Sequence, residues 1–216
     1  MTSPETEVYP SACRYLAALP DGADSYPEST CKGALVRATL AELPHLPAAA
    51  TAALPPCLIA LRDSPPDVGA WTPTVHHNAL LGAVYDARYS IGGLAAFERA
   101  AFEKSRKLLG GPLYRVLFAL VATERVVRAS ERRWRLFHRG STLAITGYRE
   151  GHFEAVLTYP PNLFFDVPLR SLGQGLRAAI AASGAKDTVL RCECISPTSA
   201  RYDITWPAAR AQGVRP

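Results

Sequence analysis

No stretch of this 216-residue chain is apolar for long enough to cross a bilayer. Its longest apolar runs, such as Val116 to Ala122, fall far short of the ~20 residues a spanning helix needs. The opening segment MTSPETEVYP has neither a positive stretch nor an apolar one, which argues against a secretory signal. Cysteine is scarce and odd in number: 5 residues, Cys13, Cys31, Cys57, Cys192 and Cys194, scattered widely. That speaks against a disulfide framework and fits a reducing compartment, so a cytoplasmic protein is expected. The chain also has no G-x-S-x-G nucleophile elbow and no P-loop. Cys192-x-Cys194 has no second pair to complete a four-ligand zinc site. His76 and His77, as neighbours on a helix, diverge by about 100° and cannot chelate one ion together. No catalytic residue, metal ligand or cofactor is therefore assigned, and enzymatic activity is not expected.

What is present is an ordinary globular composition, 48% hydrophobic, enough for one sizeable core. We expect a loose N-terminus over 1–12, a single α+β domain over 13–206 and a polar tail over 207–216. The charge is uneven. Residues 1–90 carry 5 basic and 9 acidic groups, a balance of −4, and residues 91–216 carry 19 and 10, a balance of +9. Such asymmetry points to an anionic partner for the second half.

Periodicity divides the chain. Ser29 or Thr30 can cap a helix running to Leu43. Thr72-Pro73 opens another toward Tyr89. Leu94, Phe97, Ala101 and Leu108 recur at helical spacing, giving an amphipathic helix over 93–109. Leu113 to Ala122 reads as a buried helix, and a helix from Glu124 to His138 follows. The period then drops to two. Strands over 141–148 and 152–159 flank a turn at Arg149-Glu150-Gly151, in which Gly151 is able to take positive φ. A helix over 168–183 comes next, followed by strands around 188–195 and 199–206 joined by a Ser196-Pro197-Thr198 turn. The predicted fold is α+β. A mainly helical N-terminal two-thirds packs on a small antiparallel sheet of about four strands, built from two hairpins split by a helix.

Two constellations could carry binding. Arg125, Arg128, Arg132, Arg135 and Arg139 follow i, i+3, i+7, i+10 and i+14, one basic ridge suited to an anion or an acidic protein surface. No aromatic residues interleave with it, and no helix-turn-helix or RRM pattern accompanies it, so nucleic acid is a poor fit. The second constellation is aromatic: Tyr85, Phe97, Tyr114, Phe118, Trp134 and Phe153 could line an apolar cavity between helices and sheet. Leu190, Cys192 and Cys194 alternate onto one face of a strand and read as packing residues.

Residues 19–43, 70–89, 134–161 and 175–192, with the closing Tyr202-x-Ile204-x-Trp206 strand, resemble a myxobacterial paralogous family of unknown function. The resemblance rests on the Trp71-x-Pro73 helix start, the Ser183-Gly184-Ala185 turn and that last strand, and it covers about residues 15–206. The family is distantly similar to the four-vinyl-reductase domain, the haem-NO-binding domain and the transport-particle subunits. It implies an antiparallel sheet against helices, and sensing or assembly rather than turnover. Relatives that bind haem use a proximal histidine and a Tyr-x-Ser-x-Arg motif, and this chain has no such motif.

The expectation is a non-enzymatic sensory or scaffolding domain. It would bind a small apolar or amphipathic ligand or a protein partner, and it would form a homo-oligomer. The alternatives are nucleotide or nucleic-acid binding through the arginine helix, or an enzyme acting on an anionic substrate. In the enzyme reading Arg132 or Arg135 would hold the substrate and His138 or His152 would act as acid and base.

Overall fold

A computed structural model describes residues 8–43, 52–109 and 122–208. Tyr114, Phe118, the helix expected over 113–122 and most of the expected tail lie outside the described residues. The elements run α1 (Pro10–Ala17), β1 (Thr30–Lys32), α2 (Gly33–Leu40), α3 (Pro56–Asp63), β2 (Trp71–Pro73), α4 (Thr74–Arg88), α5 (Gly93–Leu109), α6 (Thr123–Arg128), α7 (Ser130–Phe137), β3 (Thr142–Arg149), β4 (His152–Thr158), α8 (Asp166–Ala182), β5 (Val189–Ser196) and β6 (Ser199–Thr205). The architecture is α+β, with a two-stranded and a four-stranded antiparallel sheet.

The four-stranded sheet has the order β3-β4-β6-β5, two hairpins that meet at β4 and β6. Alternation along the central strands sends Phe153, Ala155 and Leu157, with Ala200, Tyr202 and Ile204, to one buried face. Helix α8, which separates the hairpins in sequence, covers that face. It comes close because residue 173 is glycine: a Cβ there would meet Leu190 Cδ2 at 2.8 Å and Tyr202 Cδ1 at 3.1 Å. Gly151 turns the first hairpin at φ +82°, a conformation in which a side chain is strained.

Helix α4 is the axis of the helical layer. Val75, Ala79, Leu80, Ala83 and Val84 are all buried, and α1, α2, α3 and α8 pack around it. Helix α5 lies along α8, fixed by an ion pair between Arg170 and Glu98 at 2.9 Å.

Three expectations are corrected. Ser29 and Thr30 do not cap a helix, and Thr72-Pro73 does not open one. Both segments extend into the short β1–β2 ladder, pairing Thr30 with Pro73, Cys31 with Thr72 and Lys32 with Trp71. The helices start one step later, at Gly33 and Thr74, because cross-strand pairing overrides local capping propensity. The helix over 124–138 is divided at Ala129, where the Ser130 hydroxyl donates back to the Val126 carbonyl at 3.0 Å. Back-bonding of this kind bends helices. Finally, residues 10–12, expected within a loose N-terminus, belong to a helix. Pro10 opens α1 at a position where its missing N–H costs nothing, and Tyr9 and Ala12 are buried.

Candidate functional site

Helices α2, α4, α5 and α8 do not meet in the middle. Between them lies a cavity of about 260 Å³. Each helix contributes one stripe at i, i+3, i+4 and i+7: Leu35, Ala38, Thr39 and Glu42 from α2 and its end; Thr74, His77, Asn78 and Leu81 from α4; Phe97, Ala100, Ala101 and Lys104 from α5; Pro168, Ser171, Leu172 and Gly175 from α8. Phe164, Tyr89, Ser105 and His138 complete the lining. The space exists because Ala38, Ala100, Ala101 and Gly175 are small, and a Cβ at Gly175 would meet nothing within 4 Å.

Two imidazoles face this space. His77 is buried in α4, and burial lowers its pKa to about 4, with the nearby Lys104 charge adding to the effect. His138 is lowered to about 3, first by burial and then by His77. Both rings are therefore neutral at pH 7. The His77 tautomer follows from a proton count. Thr39 Oγ1 has one hydrogen and donates it to the Leu35 carbonyl at 3.1 Å. The 3.2 Å contact between Thr39 Oγ1 and His77 Nε2 must then be donated by the histidine. Nδ1 is left as the acceptor of that ring.

His138 reaches the cavity by a different route. It follows α7, and its backbone bridges to Cys31 while Arg139 N–H donates to the Thr30 carbonyl at 2.8 Å. Gly140, at φ +70°, then turns the chain into β3. The His138 ring stacks on Trp134, with centroids 3.9 Å apart and planes 14° apart. Its Nδ1 is buried and has no hydrogen-bond partner.

The charged groups of the lining sit together. Lys104 Nζ donates to Glu42 Oε1 at 2.6 Å and to the Ala38 carbonyl at 3.0 Å. Arg88 approaches the other oxygen of Glu42 at 3.7 Å. Both Lys104 and Glu42 keep solvent exposure, so this ion pair joins α5 to the end of α2 across the mouth of the cavity.

Of the six aromatics expected to line a pocket, Phe97 lines this one. Tyr85 packs edge-on against Phe97 at 5.9 Å. Trp134 stands behind His138, and Phe153 is fully buried in the sheet core. Tyr114 and Phe118 lie outside the described residues. The sequence reading weighed His77 only beside His76 as a metal pair, and it did not single out Asn78 or Thr39. The signal for α4 was available: Thr74, His77 and Asn78 place polar groups at one-face spacing on a helix whose 79–84 stretch is apolar all round.

The arginines lie elsewhere. Arg128 pairs with Glu124 at 2.8 Å, and the Arg139 guanidinium covers the Trp71 ring at 3.8 Å with Lys32 also over that ring. Arg125, Arg132 and Arg135 are exposed, and Leu136 and Phe137 beside them are 58% and 43% exposed. His152 sits on the outer face of the sheet, 3.0 Å from Asp203 of β6. The residues offered for the enzyme reading are thus spread over different surfaces: His138 is buried in the cavity lining, while Arg132 and Arg135 face solvent. Cys192 is half-buried toward the core and Cys194 is exposed, its Sγ 3.3 Å from the Ser196 carbonyl. Among the described residues no three His, Cys, Asp or Glu side chains gather into a metal site. No helix among them is long and apolar enough to cross a membrane.

A helical layer enclosing a small cavity against an antiparallel sheet defines the class of fold. No family model matches the chain, and no curated protein matches it. Among solved structures it is similar to the Fe(II) unliganded H-NOX protein from K. algicida and to a mutant of that protein in the same state. Each comparison gives a TM-score of 0.55 at 10% identity, over 83% of this chain and 98% of the other. At that identity the likeness is one of fold. It supports the distant similarity to haem-NO-binding domains expected from the sequence.

Proposed function

We propose that this is a non-enzymatic sensory domain that takes a small amphipathic molecule into the cavity between α2, α4, α5 and α8. The observation that carries the proposal is the lining: apolar walls, two neutral imidazoles within, and an ion pair at the mouth. Ligand sites are typically mostly apolar with a few convergent polar groups. The H-NOX-like fold supports a sensory role. A cytoplasmic setting, a homo-oligomer and membership of the myxobacterial family belong to the same proposal.

The residues present do not fit a haem. The cavity volume lies below the roughly 300–1,000 Å³ usual for drug-sized ligands, and a porphyrin is among the larger of such molecules. The His77 Nε2 proton is committed to Thr39, and the His138 ring is fixed flat on Trp134. The one lysine of the lining is held by Glu42, and the chain has no Tyr-x-Ser-x-Arg motif to clamp propionates. A smaller ligand suits this lining.

The exposed arginines with Leu136 and Phe137 form a second surface, which we assign to an acidic protein partner. Arginine and aromatic groups are enriched in interface cores.

The ligand proposal is tested by a fragment screen with thermal unfolding as readout, since a ligand bound only by the folded state stabilises it according to ligand concentration over Kd. Ala101→Phe fills the cavity from α5 and should abolish the shifts seen with the wild-type chain. A screen without hits, or hits that persist in Ala101→Phe, would sink the proposal.

A further inference from the structure

We infer that the cavity selects an uncharged one- or two-ring molecule carrying a single hydrogen-bond donor, a phenol O–H or an azole N–H, which is delivered to the His77–His138 pair. This deepens the ligand-binding reading above and rests on it.

Charge is the first argument. Both imidazoles are neutral, and the charged side chains of the lining, Glu42 and Lys104, are bound to each other at the mouth. A carboxylate or ammonium brought inside would meet no counter-charge, and an unpaired ion in such surroundings is strongly disfavoured.

Donor and acceptor balance is the second. His77 spends its ring proton on Thr39, so the nitrogen it has left is an acceptor. His138 also carries one acceptor nitrogen when neutral, and its Nδ1 is buried without a partner. One of the two Asn78 amide N–H groups is given to the Leu163 carbonyl at 2.7 Å. A ligand that brings a donor meets the acceptor nitrogen of His77.

Shape is the third. An apolar cavity of about 150 Å³ holds a benzene ring, so 260 Å³ accommodates one or two fused rings. Phe97, Leu81, Leu172 and Phe164 supply the apolar walls.

The test is calorimetric titration of the full chain with three matched probes: indole, its isostere benzothiophene, which lacks the N–H, and indole-3-carboxylate, which adds an anion. Indole should bind about five-fold tighter than benzothiophene, the size expected of one neutral hydrogen bond, and the carboxylate should bind weakest. In His138→Phe the preference for indole over benzothiophene should shrink. Should that variant fail to fold, ¹⁵N resonances of the wild-type imidazoles provide the second readout: the acceptor nitrogens should shift with indole and not with benzothiophene. Equal binding of indole and benzothiophene, with both blocked by Ala101→Phe, overturns the donor inference and leaves the ligand-binding reading standing. Tightest binding by the carboxylate overturns the uncharged class. Binding by none of the three overturns the inference, while the broader reading is decided by the fragment screen.

Discussion

The Trp134 indole lies face to face with the His138 imidazole, 3.9 Å between centroids and 14° from parallel. One face of the histidine is thereby covered while the residue lines the cavity, and the indole Nε1–H is anchored on the Ser141 carbonyl at 3.2 Å. The arginine-bearing helix α7 and the cavity thus share a wall. Trp134→Ala should cost about 3–5 kcal/mol, the usual range for emptying a buried aromatic site. Trp134→Phe keeps a ring under His138 and loses the hydrogen bond, so its cost should be about 1 kcal/mol. Urea denaturation of the two variants measures the difference. Equal losses would mean the stack does not organise this wall.

The buried histidines impose a pH dependence. An unfolded imidazole titrates near 6.5, whereas folding lowers His77 to about 4 and His138 to about 3. The unfolded chain therefore takes up protons first as the medium is acidified. Stability is at its full value above about pH 6.5 and falls as pH drops from there toward 4, by on the order of 1 kcal/mol per pH unit for each ring. Lys104 adds to the depression of His77, and His77 adds to that of His138. Urea midpoints at pH 7.5 and pH 5.5 should differ clearly in the wild-type chain and less in His77→Gln. A flat profile would show that these rings are accessible to water.

How much of this was legible in the sequence depends on which force decided each feature. The period-two alternation of Phe153, Ala155 and Leu157, and of Tyr202 and Ile204, follows directly from burying one face of a sheet. Strands β4 and β6 duly lie where the alternation put them. Helix α5 was equally plain, at Gly93–Leu109. The β1–β2 ladder was not, because three-residue strands are too short to carry a period, and their pairing is a long-range choice. The cavity was half legible. Phe97 was identifiable as an apolar helix residue, yet aromatics as a class were a poor guide, since Phe153 fills the sheet core. Open space in this fold comes from residues that are small, Ala100, Ala101 and Gly175, and its polarity from the Thr74, His77, Asn78 stripe on α4. Absence of side-chain volume leaves no hydrophobic signal, and four stripes reveal a site only once they converge.

Gly175 offers a direct check on that open space. It lies inside α8 with nothing near its would-be Cβ. Gly175→Ala should stabilise the chain by about 0.5–1 kcal/mol, because glycine in a helix interior carries that penalty. Gly173→Ala should do the opposite. Its Cβ would press on Leu190 and Tyr202, and overpacking of this sort costs about 1–3 kcal/mol. The pair, two residues apart on one helix, separates the cavity side of α8 from the sheet side by thermal unfolding alone. Destabilisation by both would place the alanine of Gly175→Ala against packed atoms.

The ion pair between Lys104 and Glu42 should govern access rather than affinity. Both groups are partly solvated, and exposed pairs contribute about 0–1 kcal/mol. Lys104→Met should therefore leave stability nearly unchanged. It removes the tie between α5 and the end of α2, so association and dissociation of indole should both quicken while their ratio holds. Stopped-flow fluorescence reads both rates. A large loss of affinity would instead place Lys104 among the groups that contact the ligand.

The arginine surface should behave independently of the cavity. Arg132 and Arg135 are exposed, and among the described residues neither has an ion-pair partner. Reversing both with Arg132→Glu and Arg135→Glu should change stability by no more than about 0.5 kcal/mol, the usual limit for surface positions. The same double variant should elute from an anionic heparin column at lower salt than the wild-type chain, because exposed charges act through a field that salt screens. Its affinity for indole should be unchanged, since Trp134 and His138 stand between this face and the cavity. Unaltered elution would transfer the basic character of the second half to Arg149, Arg191 and Arg201, which lie on the strands. Altered indole binding would mean that the stack on α7 transmits charge changes inward, joining the two surfaces into one site.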